Sequence, residues 1–247
     1  DSTGRGENSI AAPDGSSFSL ASTAMDFSKN WVAGSSSPEI IFAYVNNSRA
    51  SSPLNFTLYV NDTDGSWNYA PSDWCYNSLF ADDNTLSRKG DVRLKATFTS
   101  QDANRVIKYP NGTYQLAETS DYTCTPVVIS RISEMYLVKA EALGKTNGAA
   151  ALVEYMKKRY TTAPSEAAIK ALSDKEYQTL ILDERRREFY AEGMRWQDIK
   201  RTNRLELLET LDGRTYLMYY PIPQDEIDMA GTVAYPQNPG YAGYTGN

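Results

Sequence analysis

Near residue 126 the pattern of apolar and polar positions changes character. Upstream, apolar residues come in short runs between polar, turn-rich stretches. Residues 1–37 are rich in Ser, Gly and Asn and are interrupted by Phe18, Leu20, Phe27 and Trp31, which predicts an irregular segment with a short helix near 22–31. The run 39–44 (EIIFAY) predicts a strand, and 54–60 (LNFTLYV) a second one. At 71–80, Pro71 precedes a helix that Ser72 can cap, and Leu79 and Phe80 close its apolar face. Residues 81–126 are mixed, with a turn at 109–112 (YPNG).

Downstream the spacing becomes helical. Ile129, Ile132, Met135, Tyr136, Ala140 and Leu143 share one face of a helix that Gly144 ends. Asn147–Gly148 then turns the chain into a second helix with Leu152, Tyr155 and Met156 on one face. The pair reads as a helical hairpin of tetratricopeptide type. A third helix starts at Ser173 with Glu176 completing a capping box, buries Tyr177, Leu180 and Ile181, and runs to Gly193 as its C-cap. A fourth, short helix carries Trp196 and Ile199. The tail segments 221–227 (PIPQDEI) and 236–241 (PQNPGY) read as extended, Pro-fixed pieces lying across the helices. The expected fold is mainly α, with long irregular loops and a few short strands. It divides into a loop-rich region 1–126 and a helical region 127–247 with a Pro-rich tail.

The stretch 183–201 (DERRREFYAEGMRWQDIKR) alternates arginines and carboxylates around an aromatic spine. Glu184, Glu188 and Glu192 stand four residues apart, an unfavourable like-charge ladder on a helix. Arg185, Arg187 and Arg195 are expected to offset it, since bidentate arginine–carboxylate pairs suit a partly buried network. Glu184, Arg185, Arg186, Glu188, Glu192, Gly193, Arg195, Trp196, Asp198 and Arg201 are therefore assigned to structure, with Trp196 in the core.

Composition narrows the function. The chain has 247 residues, enough for one large domain or two small ones, and no histidine, which removes the His-dependent hydrolases and the usual zinc sites. A net charge of −6 argues against nucleic acid as a partner. Its two cysteines, Cys75 and Cys124, are compatible with a disulfide or with two buried thiols. No apolar run reaches membrane-spanning length. The first residues lack the layout of a signal peptide, so the chain reads as a mature or trimmed form. The spacing of Asp62, Asp64, Asp82 and Asp83 predicts no metal site, and no cofactor is expected. Tyrosine occurs 18 times, and rings on an acidic chain serve binding surfaces or core edges equally well. The best candidate for ligand contact is 67–74, where Trp67, Asn68, Tyr69, Asp73 and Trp74 cluster. The alternative is that Trp74 and Tyr76 face the core as part of the first helical turn.

Four pieces in order resemble the SusD/RagB family of outer-membrane nutrient-binding lipoproteins. They are 131–143 (RISEMYLVKAEAL), 184–201 (ERRREFYAEGMRWQDIKR), 220–227 (YPIPQDEI) and 236–241 (PQNPGY). Upstream, 38–44 (PEIIFAY), 67–80 (WNYAPSDWCYNSLF) and the Asp91–Arg93 pair match more loosely. The resemblance implies a non-catalytic protein at the outer-membrane cell surface. It would capture an oligosaccharide or polysaccharide, or in some branches a peptide, and act as a lid over a SusC-like TonB-dependent transporter. Some members bind calcium. Members are longer and begin with a lipidated cysteine, so this chain resembles the second half of one, and membrane attachment would run through an N-terminal lipid anchor absent here. Two other classes differ in what they require. A glycoside hydrolase needs a carboxylic acid of raised pKa, and arginines interleaved with the acids work the other way. A repeat-type interaction scaffold needs its helical face and not Trp67.

Overall fold

Strand β1 (Ser9–Ala11) pairs antiparallel with β2 (Ser17–Ser19). The expected short helix follows as α1 (Ala24–Ser28), because the Thr23 hydroxyl accepts the Asp26 amide at 3.0 Å. One 3-10 turn continues it to Trp31. Phe27 and Trp31 are fully buried edge to face, their centroids 5.1 Å apart. The computed structural model describes residues 9–11, 17–32, 37–44, 71–98, 106, 108, 126–208, 213–230 and 236–242. The strand expected at 54–60 and the turn at 109–112 lie outside them. Two compact units result, Asp1–Glu192 and Gly193–Asn247.

The predicted strand at 39–44 is β3 (Ile40–Tyr44). At 71–80 the predicted helix forms with a wider winding: Asp73 and Trp74 lead into a π-helical turn, Cys75–Leu79. Ser72 caps it, its hydroxyl 3.4 Å from the Cys75 amide. Cys75, Leu79 and Phe80 bury with Phe98 and Val106 in one apolar cluster. Strand β4 (Lys89–Asp91) passes into α2 (Val92–Thr97), capped by the Asp91 carboxylate.

The helix expected from Ile129 begins later. Val127, Val128 and Ile129 are β-branched, stiff at χ1 and suited to a pleated strand. They form β5 (Val127–Arg131), which pairs antiparallel with β3. Helix α3 (Ile132–Arg159) follows and breaks at Gly144, whose φ of 65° is open to glycine. Asn147 and Gly148 are helical rather than a turn. Gly148 instead marks where the two arms meet: a Cβ there would lie 2.2 Å from the Ala140 carbonyl oxygen. Along a straight helix those positions would stand about 12 Å apart. The arms therefore fold back on one another as a hairpin hinged at Gly144.

Strand β6 (Tyr160–Thr162) pairs with β4, and α4 (Glu166–Ala171) follows as an element the apolar pattern did not announce, capped by Ser165. The predicted capping box opens α5 (Asp174–Glu188): the Ser173 hydroxyl accepts the Glu176 amide at 3.2 Å, and Glu176 accepts the Ser173 amide at 2.7 Å. Tyr177 ties α5 to the hairpin, donating to the Ala140 carbonyl at 2.9 Å. Helix α5 stops at Glu188, short of the expected Gly193. The Glu188 carbonyl, which a continuing helix would pair with residue 192, is taken by Lys108 at 3.0 Å and Arg131 at 3.2 Å.

In the second unit Gly193 (φ 80°) precedes α6 (Met194–Thr202), so it starts this helix rather than ending α5. Ile199 and Met218 form its core, with Trp196, Leu205 and Leu207 packed against them. Arg201 pairs with the buried Asp198 at 2.9 Å. The segment expected to stay extended at 221–227 contains α7 (Gln224–Met229), with Pro223 at its N-cap. Gln237 staples the tail: its amide accepts from the Ile222 N–H at 2.7 Å and donates to the Ile222 carbonyl at 2.9 Å.

Candidate functional site

Two features of the first unit carry the functional argument: a buried charge cluster under α5 and an exposed tryptophan above it. The cluster starts from the ladder on α5. Glu184 accepts from Arg93 and Arg187, each at 2.9 Å, and from the Tyr160 hydroxyl at 2.6 Å. One turn on, Glu188 accepts from Arg159 at 2.9 and 3.0 Å and from Tyr155 at 2.7 Å. Glu192 accepts from Arg131 at 2.6 Å and Lys108 at 2.8 Å. Asp91 takes the other edge of Arg93, and Glu39 takes Arg159 at 2.8 Å. Glu39 further accepts the Ala21 amide and Asn30.

The ladder is thus neutralised mostly from a distance, by α2, β5, the end of α3 and Lys108. Of the three arginines expected to offset it, Arg187 does so. Arg185 turns to Glu134 at 3.3 Å and lies over the Phe189 ring, and Arg195 belongs to the second unit. The sequence showed which acids needed partners. It could not show partners 29 to 95 residues away.

Electrostatics follow from the geometry. Burial alone would push the Glu188 carboxyl up; Arg159, Arg131 and Arg93 outweigh it and hold it well below the usual carboxylate range. Glu184 is lowered the same way, burial being overcome by Arg93 and Arg187. Lys108 goes the other way. Burial dominates, Glu192 only partly compensates, and the ammonium drops to about 8. It sits 4.5 Å from the Trp31 ring centroid. Glu184 and Glu188 are thereby favoured as anions.

Above this cluster lies the described part of the predicted platform. Trp67, Asn68 and Tyr69 lie outside the described residues. Asp73 is exposed, and Trp74 keeps 47% of its surface open. Arg186 lies over the Trp74 ring at 4.6 Å, so this arginine of the charged stretch serves the surface. Its neighbour Arg187 reaches inward and donates to the Leu79 carbonyl on the same π-helical turn. Two consecutive arginines of α5 therefore grip the turn that presents Trp74, one from below and one across the ring. Cys75 is buried beneath it, and Cys124 lies outside the described residues. Asp82 and Asp83 cap backbone amides of the following turn, at Gly90 and at Thr85 and Leu86. Among the described residues no group of three or more acids or cysteines could hold a metal ion, and no helix is long and apolar enough to cross a membrane.

A mainly helical chain with a glycine-hinged hairpin and an arginine-filled centre defines a structural class that known proteins share. The SusD family profile matches residues 82–213, which contain the whole cluster except Glu39, and the chain belongs to the SusD family. SusD-like protein P38 of Formosa agariphila is 30% identical over 142 residues, covering 52% of this chain and 27% of that protein. A SusD superfamily protein from Bacteroides thetaiotaomicron superposes with a TM-score of 0.60 at 23% identity, over 90% of this chain and 52% of that one. A laminarin-binding SusD-like protein superposes with a TM-score of 0.55 at 20% identity, over 96% of this chain and 56% of that one. The chain spans about a quarter of the first relative (27%) and about half of the two solved structures (52% and 56%). At these identities the two superpositions establish the fold.

Proposed function

We propose that this chain belongs to a cell-surface protein that binds a nutrient glycan and passes it to a SusC-like TonB-dependent transporter of the outer membrane, without chemical change. The observation that carries the reading is the open Trp74 ring, capped by Arg186 on a turn that Arg187 fixes from below. A flat apolar ring beside hydrogen-bond donors matches a sugar, which offers an apolar face ringed by hydroxyls. Family membership and the laminarin-binding SusD-like neighbour support the same ligand class. Glu184 and Glu188, held as anions, support binding over hydrolysis. Exposed Met135 and Val138 on the first arm of α3, with Phe42 and Tyr44 on β3, support contact with a protein partner.

The test is retention of the chain in gels containing a panel of polysaccharides, beside Trp67→Ala and Trp74→Ala. Retention by one glycan class, weakened roughly tenfold or more in either variant, is the expected result. Retention that both variants share with the wild type would place the ligand elsewhere. Release of reducing sugar from the retained glycan would overturn the non-catalytic reading.

A further inference from the structure

The second unit contains an open cleft of about 620 Å³, within the size range of ligand pockets. Tyr219 stands at its edge with 63% of its surface exposed, and Leu205, Met218 and Pro239 give it an apolar lining. Asn238 lines it too, as do three further polar side chains, Lys200, Asn203 and Thr215. Among the described residues none of the three hydrogen-bonds another protein group through its side chain, and Lys200 pairs with no carboxylate. The polar side chains next to them are engaged. Gln237 holds Ile222, Asn238 donates to the Tyr220 carbonyl at 2.8 Å, and Tyr241 donates to the Tyr219 carbonyl at 2.6 Å. The backbone that presents Tyr219 is therefore fixed by side-chain bonds, while Lys200, Asn203 and Thr215 stay unspent. Tyr216 adds rigidity: it meets Tyr241 edge to face at 5.1 Å and lies so close to Gly240 that a Cβ there would fall 2.3 Å from its ring.

We propose that this cleft is a sugar-binding site, separate from the Trp74 platform, in which a pyranose ring stacks on Tyr219. Lys200, Asn203 and Thr215 supply its hydroxyls with hydrogen-bond partners. An ammonium, an amide and a hydroxyl offer both donors and acceptors, as a polyol requires. The Lys200 ammonium already lies 5.6 Å from the Tyr219 ring centroid, so charge and ring face share one small volume. A purely apolar occupant would strand these three groups without partners. The inference rests on the chemistry of the cleft and not on Trp74.

The test is amide NMR of the full chain, following the side-chain NH₂ signals of Asn203 and Asn238 and the indole N–H of Trp74 during titration. The probes are oligosaccharides of laminarin, xylan, mannan and polygalacturonate. The expected result is a saturating shift of the Asn203 signal with at least one probe, which Tyr219→Ala weakens about tenfold and Trp74→Ala leaves in place. Tyr219 is exposed, so its removal leaves the fold intact for comparison. No Asn203 shift with any probe would overturn the proposal, as would a shift that Tyr219→Ala does not weaken. A Trp74 signal that responds while Asn203 stays silent would sink this site alone. The reverse would sink the Trp74 platform alone.

Discussion

Around Glu188 the first unit ties its elements with charges taken out of water, whereas around Gln237 the second ties its turns with a neutral amide. Both devices give one side chain several partners. They differ in what is left behind when that side chain goes. Loss of Glu188 leaves Arg159, Arg93 and Arg131 buried with fewer counter-charges. Loss of Gln237 leaves two N–H groups, of Ile222 and Asn238, and one C=O near the surface, where water can replace the amide. Removing one member of a buried charge set strands its partners, whereas water can stand in for a neutral amide near the surface.

The largest effect is expected for Glu188→Gln. It should cost about 3–5 kcal/mol, because a partner is removed from a buried ion-pair set. Urea unfolding at neutral pH measures it. The acid limb gives the sign. The Glu188 pKa is lowered on folding, so its contribution is full above the unfolded value near 4.5 and is lost as pH falls through the folded value. The gap between wild type and Glu188→Gln should therefore narrow as pH is taken below 4.5. A gap that stays constant would remove Glu188 from the cluster's energetics.

Gln237→Ala comes next, at about 1–3 kcal/mol. Its effect should be local, seen as faster hydrogen exchange at Ile222 and Asn238 with unchanged protection in α5. A smaller effect is expected for Lys108→Met, since Arg131 still neutralises Glu192. Here the sign reverses from the usual lysine. The folded pKa is about 8 and the unfolded one 10.5, so the unfolded chain holds more protons between them. Wild type should gain stability relative to Lys108→Met as pH rises from 8 towards 10, read from urea midpoints. Smallest is Arg186→Ala, at roughly 0.5–1 kcal/mol for an exposed cation–π contact. Stability would barely move, yet glycan retention through Trp74 should fall.

Much of the fold was legible because local chemistry decides it. The Ser173–Glu176 capping box, the strand after Glu39 and the short helix ending in Trp31 each depend on neighbours within a few residues. The misread boundaries have physical causes. At 127–131 a helical period coincides with a β-branched run, and pairing with β3 favours the strand. At Glu188 the helix ends because distant cations take its carbonyl, which no local pattern encodes. The site was legible only in part. Trp74 is exposed as the platform reading allows, and no local pattern separates Arg186, which lies over its ring, from the buried arginines beside it. The cleft at Tyr219 has no sequence signature because its lining comes from separate stretches of the chain.

The charge cluster also predicts an order of assembly. A segment bearing Glu184, Glu188 and Glu192 has little reason to settle as helix until Arg93, Arg131 and Arg159 arrive from α2, β5 and α3. Those contacts close long loops, and loop closure slows the search for them. The hairpin around Gly144 can form early from near neighbours, with the end of α5 locking last, once the rest of the first unit is in place to receive it. Pulse-labelled hydrogen exchange during refolding should find amides of the hairpin protected before those of 184–188, and simultaneous protection would contradict this order.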